Sequence, residues 1–370
     1  MTSYPCYLVR KGSFDADTVN RMAKIIAPNP VRRRDGKTCY EDIEEQLKSQ
    51  LRGVPQEQDD GTVIYIQWDE SGENIAMLSE QLKATPNHEE WFETDTIDVS
   101  MLPCDWIYEL ADGARVGIYC DNEARHLGIT RFPTAGVEFA NADGIIEALY
   151  PREGIITYSP KITPREAREI CDTFLEKAGI EGFSASSCKV ARMNDVWYED
   201  VAVGYWFEYC HVFAYAAESM DGGGNIFRFE EDFAYSMPWY AERIHIFADE
   251  NGIQFVNWQE PLEILRVDNT ESELLSFEEI KNNALKLMSY GMAWRENQRG
   301  TVQYVMDKVT LTLALQRVYG KSDEALLVPA WVFRYMDAYA FRHGKGVAYE
   351  CFVLNAVSGR RMELFTSDGG

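Results

Sequence analysis

Three segments of the chain combine a capped amphipathic helix with a following run of β-branched and aromatic residues, and this repeat restricts the possible folds most. Each helix is predicted to start at a hydroxyl residue followed three positions later by glutamate, as in a capping box: Thr38 and Glu41, Thr163 and Glu166, and Ser276 and Glu279. A glycine suited to ending each helix stands 15 or 16 residues after the cap, at Gly53, Gly179 and Gly291. The pattern predicts three helices of similar length.

The strands that follow these helices are separated by turn signals. The stretches "FSASSCKVARM", "VAVGYWFEYCHVFAY" and "IQFVNW" follow the second helix, and "ALLVPAWVFRYM" and "GVAYECFVLNAV" follow the third. A helix followed by hairpin-connected strands predicts an α+β fold, with repeated units of one helix packed on a curved antiparallel sheet. After Val302 the apolar positions change from even to odd numbers near Asp307 and Lys308, which predicts a β-bulge there.

The length of the chain predicts more than one folding unit. A chain of 370 residues is too long for one ordinary core. A proline-rich stretch near residues 150–162 marks a candidate boundary. We predict an N-terminal α+β domain over residues 1–155, a helix-plus-sheet unit over 156–270, and a second helix-plus-sheet unit over 271–370.

The charge of the chain excludes one class of partner. There are 36 Lys and Arg residues against 60 Asp and Glu residues, giving a formal net charge of −24. This charge repels phosphate backbones and anionic lipid surfaces, so we expect no nucleic-acid partner. The basic run Arg32–Arg34 could bind an anion, but the better prediction for it is a solvated loop.

The cysteines and histidines do not form a recognisable ligand set. The eight cysteines contain no Cys-x-x-Cys pair, which excludes the common zinc and thioredoxin-like spacings. We expect free thiols, although a bridge between Cys188 and Cys210 stays open because both fall in strands of one predicted sheet. His211 and His245 also fall in predicted strands, where a hydrogen-bonded structural role is expected. No metal and no cofactor are therefore expected.

Acidic residues flanked by aromatic residues are the feature that most favours an enzyme, because glycosidases need two acids and stacking surfaces. They are Glu199 and Asp200 after Trp197 and Tyr198, Glu208 between Phe207 and Tyr209, and Glu230 to Asp232 between Phe229 and Phe233. Exposed turns with buried aromatic residues explain the same pattern. If an aromatic row is exposed, its candidate contact residues for a sugar or peptide are Trp197, Tyr198, Trp206 and Trp239.

The C-terminal stretches "LLVPAWVFRY" and "FVLNAVSGRR" are typical of the closing hairpin of a sheet. Proline cannot donate a ladder hydrogen bond. Pro329 therefore predicts an edge strand, a bulge, or a position whose nitrogen faces away from the neighbouring strand. Ser358 and Gly359 predict a turn that ends or reverses the final strand.

Residues 156–370 resemble lipoproteins of unknown function from Gram-positive bacteria, whose extracytoplasmic parts are similar to PepSY and YycH/YycI-type regulatory modules. The stretches that carry the resemblance are "REICDTFLEKAGI", "NGIQFVNWQEPLEI", "LLSFEEIKNNALKLM", "VTLTLALQRVYGKSDEALLVPAWVFRY" and "FVLNAVSGR". The most specific residues are Pro329, Trp331, Asn355 and Gly359, for which the resemblance implies structural roles. It also implies a PepSY/cystatin-like fold, export, and attachment to the membrane only through a lipid anchor that is absent from this chain.

These observations support three hypotheses about function. The resemblance and the lack of a catalytic constellation favour a non-enzymatic, extracytoplasmic binding or regulatory protein, lipid-anchored at the cell surface. It would recognise an unknown protein, peptide or envelope component through a sheet face or an edge strand. A cell-wall glycan hydrolase or carbohydrate-binding protein is the second hypothesis, and the hydrolase requires two carboxyl groups about 5 to 10 Å apart. An intracellular scaffold protein is the third.

Overall fold

The computed structural model of the chain describes residues 3–52, 54–57, 63–66, 72–132, 160–193, 201–213, 216–217, 242–299, 304–318, 321, 323–337 and 350–362. Within these ranges the helices are α1 (Ala16–Ile26), α2 (Tyr40–Arg52), α3 (Glu73–Ala84), α4 (Pro164–Ala178) and α5 (Phe277–Arg299). In the described part of the chain, no helix has the length and apolar character needed to span a bilayer.

The strands fall into three antiparallel sheets. Those before α4 are β1 (Ser3–Lys11), β2 (Pro30–Asp35), β3 (Val54–Glu57), β4 (Val63–Ile66), β5 (Phe92–Glu93), β6 (Cys104–Leu110), β7 (Arg115–Asp121) and β8 (His126–Phe132). Those between α4 and α5 are β9 (Phe183–Met193), β10 (Val201–Phe213), β11 (Ala216–Ala217), β12 (Arg243–Asp249), β13 (Gly252–Gln259) and β14 (Leu262–Glu273). Those after α5 are β15 (Tyr304–Arg317), β16 (Glu324–Asp337), β17 (Glu350–Asn355) and β18 (Arg361–Met362).

The largest sheet has ten strands in the order β11-β10-β12-β13-β8-β7-β6-β2-β5, with β9 also paired to β10. Helices α1 and α4 cover one face of it and share a single apolar core with its strands. The buried residues of α4 recur at helical spacing, as predicted: Ala167, Cys171, Phe174, Leu175 and Ala178. Burying a side chain such as Phe174 contributes about 1.5–3 kcal/mol, so this apolar stripe holds α4 on the sheet.

The second sheet has six strands in the order β14-β1-β16-β17-β18, with β15 also paired to β16. β15 pairs along nearly the whole of β16, while β1 and β17 share the opposite edge of that strand. Helix α5 packs on this sheet through Ile280 and Ala284, whose core also contains Phe333, Phe352 and Leu354. A short hairpin, β3-β4, forms the third sheet. Helices on antiparallel sheets confirm the predicted α+β class.

The strand pairing crosses the predicted divisions at residues 155 and 270. β8 pairs with β13, so the first and second segments contribute to one sheet. β1 pairs with β14 and β16, so the start of the chain belongs to the C-terminal sheet. Ladder hydrogen bonds join strands that are close in space, and neither composition nor periodicity along the chain indicates such distant partners. The three-domain division stays a prediction about folding units.

Two of the three predicted capping boxes are formed. Thr163 and Glu166 bond reciprocally at the start of α4, and Ser276 and Glu279 do so at the start of α5. At α2 the prediction is wrong, because Asp42 accepts the bond from the backbone N–H of Cys39 at 3.0 Å. The carboxylate of Glu41 is engaged elsewhere, by the His88 ring and the backbone N–H of Glu89.

The predicted helix ends differ in outcome. Gly179 ends α4 in the left-handed conformation, with φ of 71°, as expected. Gly291 does not end α5, which continues to Arg299. A glycine inside a helix costs only about 1 kcal/mol, and the stretch "AWRENQR" that follows contains good helix formers and no proline. The predicted bulge in β15 is confirmed, because its register with β16 shifts between Met306 and Lys308.

Candidate functional site

Alternation along the strands sends every second side chain of the ten-stranded sheet to the face opposite α1 and α4, which we call the outer face. Residues that are partners across seven strands form one row on it, the polar row: Ser187, Glu208, His245, Asn257, Gly128, Tyr119 and Asp105. The row beside it, the aromatic row, comprises Lys189, Trp206, Phe247, Phe255, Thr130, Gly117, Ile107 and Arg34.

Glu208 is a negatively charged member of the polar row. Its Oε2 accepts a hydrogen bond from Ser187 Oγ at 3.1 Å, and its Oε1 lies 3.6 Å from His245 Nε2. Burial raises the pKa of Glu208, but the hydrogen bond and charge of His245, followed by the charge of Arg243 and the Ser187 bond, outweigh burial and lower the pKa. A carboxyl group with a lowered pKa is poorly suited to act as a general acid near neutral pH.

Asn257 is the most deeply buried polar residue of this row, with 4% of its surface exposed. Its Oδ1 has no hydrogen-bond partner among the described residues. Gly128 stands directly opposite on β8, and a Cβ at that position would meet only His126 Nε2, at 3.9 Å. Neither a close neighbour nor a positive φ requires glycine there. Among the described residues, the place of a side chain at Gly128 is therefore left unfilled beside Asn257.

Gly128 lies between a buried residue, Asn257, and an exposed residue, Tyr119. Tyr119, the neighbour of Gly128 on β7, is 38% exposed, and its ring centre lies 5.5 Å from that of His126. We call the opening bounded by Asn257, Tyr119, His126 and Thr130 the Gly128 notch.

Carboxyl groups flank the Gly128 notch. Backbone N–H groups of Ala124 and Glu123 lower the pKa of Asp121, whose Oδ2 accepts a hydrogen bond from the Tyr119 hydroxyl at 3.4 Å. Asp105 lies beside Tyr119 in the polar row, and its pKa is raised by burial and then by the charge of Asp35. The acceptors near the notch therefore differ in protonation behaviour, with Asp121 the more firmly ionised.

The aromatic side chains of the aromatic row are buried, which corrects one expectation about surface contacts. Trp206 is 8% exposed; its ring stacks on Phe255, with centres 5.5 Å apart, and lies 5.2 Å from the His245 ring. Because it is packed on Phe255 inside the structure, Trp206 does not offer an exposed stacking surface. The other predicted contact residues, Trp197, Tyr198 and Trp239, lie outside the described residues. So do the acids Glu199, Asp200, Glu230, Glu231 and Asp232.

Arginines at the β2 end of the outer face are neutralised by carboxylates. The run Arg32–Arg34 belongs to β2 and is not the solvated loop that we predicted. Arg34 is 3% exposed; its Nη2 donates to Asp42 Oδ1 at 2.6 Å and its Nε lies 3.4 Å from Glu89 Oε1. Burial of the guanidinium is possible because Asp42 and nearby backbone carbonyls accept hydrogen bonds from its Nη atoms, while the Glu89 carboxylate lies close to its Nε.

A second polar cluster lies on the helix-covered face. Glu242 is 1% exposed; its Oε1 accepts from Trp258 Nε1 at 2.7 Å, and its Oε2 lies 2.7 Å from His211 Nε2. Phe183 lies against the His211 ring, with centres 4.0 Å apart. The cluster joins β10 to β13 beneath aromatic rings, which agrees with the hydrogen-bonded structural role expected for His211. Ser184, next to Phe183, pairs with Cys210 in the ladder, and alternation turns its side chain away from this cluster.

Cys188 and Cys210 do not form the bridge that the sequence left open. Both carry free thiols. Across the β9–β10 ladder, Cys188 is opposite Phe207 and Cys210 is opposite Ser184, so the two thiols are not partners. A register shift between Glu208 and Tyr209 separates these two pairs.

The four residues that carry the family resemblance meet at the closing hairpin of the six-stranded sheet. Pro329 is opposite Leu313 of β15, and its backbone oxygen accepts from the N–H of Ala356 at 2.8 Å. The nitrogen and oxygen of a strand residue point to the same edge, so the proline nitrogen faces away from β15. This is the third of the three positions predicted for Pro329; the residue is not on an edge strand.

The turn after β17 is built by two of the other resemblance residues. Asn355 Oδ1 accepts from the backbone N–H groups of Val357 and Ser358, both at 2.9 Å. Gly359 has φ of 68°, and a Cβ there would lie 2.5 Å from Asn283 Nδ2 of α5. Trp331 packs on Phe277, with ring centres 5.0 Å apart. These contacts tie the hairpin to α5.

The chain is similar to solved structures at 9–11% sequence identity. No family model matches the chain, and no curated protein matches it. The chain is similar to the crystal structure of an uncharacterised protein from Eubacterium rectale, with 10% identity, coverage of 98% of this chain and 86% of that chain, and a TM-score of 0.49. It is also similar to the C-terminal domain of YpeB from Bacillus megaterium, with 9% identity, coverage of 68% and 81%, and a TM-score of 0.24. A third similar structure is YycH from Bacillus subtilis, with 11% identity, coverage of 97% and 99%, and a TM-score of 0.24.

The polar row was not predicted from the sequence. Its members come from strands as far apart along the chain as β6 and β13, and only the register aligns them. One signal was available: Gly128 interrupts the strand "HLGITRF", and a glycine inside a strand often marks a close approach by a ligand or another backbone.

Proposed function

We propose that the chain is a non-enzymatic, extracytoplasmic binding or regulatory module that recognises a protein, peptide or envelope component through its outer face. The observation that carries this proposal is the Oδ1 of the buried Asn257 beside the Gly128 notch, which has no hydrogen-bond partner in the described part of the chain. Buried polar atoms are nearly always hydrogen-bonded, and leaving one unpaired costs about 1–3 kcal/mol. A partner that donates to Asn257 would remove this cost on binding.

A glycan hydrolase receives little support from the described carboxyl groups. Glu208 and Asp105 have pKa shifts of opposite sign, as an acid and base pair requires. They stand on β10 and β6, however, and five inter-strand steps separate these strands. At about 4.8 Å a step the separation is about 24 Å, beyond the roughly 5 to 10 Å of glycosidases.

Recognition through the outer face can be tested with a phage-displayed library of extended peptides. We expect the wild-type chain to select peptides that the double variant Asn257→Leu, Gly128→Val does not retain, because the variant lacks the acceptor and fills the notch. Lys24→Ala, at the exposed C-terminal turn of α1 on the other face, is the matched control and should retain them. Equal retention by all three proteins would place recognition elsewhere.

The extracytoplasmic location and the lipid anchor are supported by the sequence resemblance over residues 156–370. We expect the native protein to fractionate with membranes, to incorporate labelled palmitate, and to be cut by protease added to intact protoplasts. Protection from the protease together with recovery in the cytosol would favour the intracellular scaffold hypothesis instead.

A further inference from the structure

We propose that the Gly128 notch binds a positively charged ammonium group, presented by a lysine side chain of an extended basic peptide. This inference rests on the proposed function of the outer face and names the chemistry of its ligand. Three features of the notch support it: its hydrogen-bond acceptor, its surrounding charge and its exposed aromatic wall.

The acceptor at the buried wall requires a donor. Asn257 is 4% exposed, and its Oδ1 has no hydrogen-bond partner among the described residues. A lysine ammonium carries three donors and no acceptor, so it can satisfy this oxygen without introducing a new unpaired acceptor. A carboxylate or phosphate ligand carries only acceptors and would leave Asn257 Oδ1 unpaired. The notch therefore selects donor groups.

The charge around the notch selects a cation among the possible donors. Asp121, Asp105 and Glu208 are carboxyl groups that lie along the polar row and at the end of β7, where Asp121 is the partner of His126. Arg243 acts on Glu208 and offsets part of this charge, while Arg34 is paired with carboxylates of its own. The whole chain carries a formal charge of −24, which attracts basic peptides over long range.

The exposed wall and the width of the notch suit an ammonium on a thin stem. The Tyr119 ring stands beside Gly128, and the face of a tyrosine ring attracts a cation within about 6 Å. Gly128 leaves the place of one side chain unfilled among the described residues, between strands spaced about 4.8 Å apart, and a space of that size suits one unbranched chain. A lysine side chain is long enough to reach Asn257 from a peptide lying over the sheet.

The test compares a peptide with three lysines and the same peptide acetylated at each Nε, using calorimetric titration at physiological salt. We expect the wild-type chain to bind the lysine peptide about tenfold more tightly, the effect of one charge-assisted hydrogen bond. Asn257→Leu and Gly128→Val should each weaken that binding about tenfold, whereas Thr173→Ala on the exposed side of α4 should not. All three substitutions preserve the net charge, so non-specific attraction to the acidic chain stays equal.

The outcomes separate this inference from the proposed function. Equal binding of both peptides, weakened by Asn257→Leu, would overturn the ammonium assignment and leave recognition by the outer face standing. Binding of the lysine peptide that neither notch variant weakens would overturn the notch as the site, as would failure of both peptides to bind. Circular dichroism of each variant verifies its folding. If Gly128→Val is unfolded, the binding of the Asn257→Leu variant alone decides the test.

Discussion

At the scale of single residues, the buried polar groups of the ten-stranded sheet differ in what surrounds them. Glu242 is almost fully buried and bonded to Trp258, with His211 at 2.7 Å, so its burial contributes to holding strands together. Asn257 is nearly as buried but its Oδ1 is unpaired among the described residues. A paired group stabilises the fold, whereas an unpaired one costs free energy and is retained where it has another use.

The stability of an Asn257 variant tests this reasoning without any ligand. Asn257→Leu removes the unpaired acceptor while keeping a similar branched shape, so we expect the free energy of unfolding in urea to rise by about 1 kcal/mol. Asn257→Asp, which has the same shape but a charge, should lower it because the charge would be buried. A loss of stability in Asn257→Leu would show that the amide is paired in the native protein.

Thiol reactivity is a second property of single residues. Cys188 is the exposed cysteine among those described, whereas Cys104, Cys120 and Cys171 are buried. Burial raises the pKa of Cys104 to about 11 and that of Cys120 to about 12, so neither forms thiolate near neutral pH. We expect iodoacetamide at pH 8 to modify Cys188 at least tenfold faster than these three, as measured by peptide mass spectrometry. Comparable rates at Cys120 or Cys171 would contradict the burial described above, and Cys188→Ser provides the control.

At the scale of single elements, the helix starts show how local rules succeed and fail. At α4 and α5 the capping residues bond to each other within the first turn, and the predicted boxes form. At α2 the Glu41 carboxylate is within reach of a later segment and accepts from His88 and Glu89. A capping box is decided locally unless a tertiary partner competes for its carboxylate.

Matched threonine substitutions measure this difference. Thr163→Ala removes an oxygen that accepts from the N–H of Glu166 at 3.2 Å, and we expect a loss of about 1 kcal/mol in the free energy of unfolding. Thr38→Ala, at the start of α2, should cost less than about 0.5 kcal/mol because Asp42 supports that helix start. Equal losses in the two variants would mean that α2 is capped by Thr38 after all.

At the scale of the whole molecule, β1 connects parts of the chain that are distant in sequence. It lies between β14 and β16, and its Tyr7 and Val9 share an apolar cluster with residues that include Leu313 and Leu327. Without β1, the inner edge of β16 and these apolar side chains would be exposed to water. The C-terminal sheet therefore depends on the first residues of the chain.

This dependence predicts how fragments behave. We expect residues 271–370 expressed alone to lack a cooperative thermal transition, and the addition of a peptide spanning residues 1–12 to restore part of it, because the peptide supplies β1. A scrambled peptide of the same composition is the control. Cooperative unfolding of the fragment alone would support the predicted C-terminal domain as an independent unit.

Acid sensitivity is also a property of the whole molecule. The contact with His88 is the main cause that lowers the pKa of Glu41 from 4.5 to about 2, and capping bonds lower the pKa of Glu166 and Glu279. Groups with a lowered folded pKa stabilise the fold above their unfolded pKa, and this contribution is lost as the pH falls. Asp105 has a raised pKa, so its contribution partly opposes this loss of stability at low pH. We expect the urea concentration at the midpoint of unfolding to decrease as the pH is lowered from about 5 to about 2.5. Glu41→Gln should reduce this decrease. The same decrease in the wild type and in Glu41→Gln would contradict the prediction.

The elements of this fold were predictable wherever the cause is local. The stripe of α4 and two capping boxes depend on residues three or four positions apart, and the bulge in β15 depends on alternation along one strand. The end of α5 was not predictable from Gly291, because the cost of a glycine is small compared with the favourable residues around it. The buried state of Trp206 was not predictable either, because alternation assigns a face but not what covers it.

The sequence by itself determined the α+β class, the acidic composition, two of the three capping boxes and the turn at Ser358 and Gly359, because these follow from composition and from neighbours within a few residues. The tertiary structure alone decided which strands pair, and therefore which side chains share the outer face. Asn257 and Gly128 are 129 positions apart in the sequence yet are direct partners in the sheet. Strand register depends on hydrogen bonds and burial across the whole sheet, so only the folded chain creates the Gly128 notch.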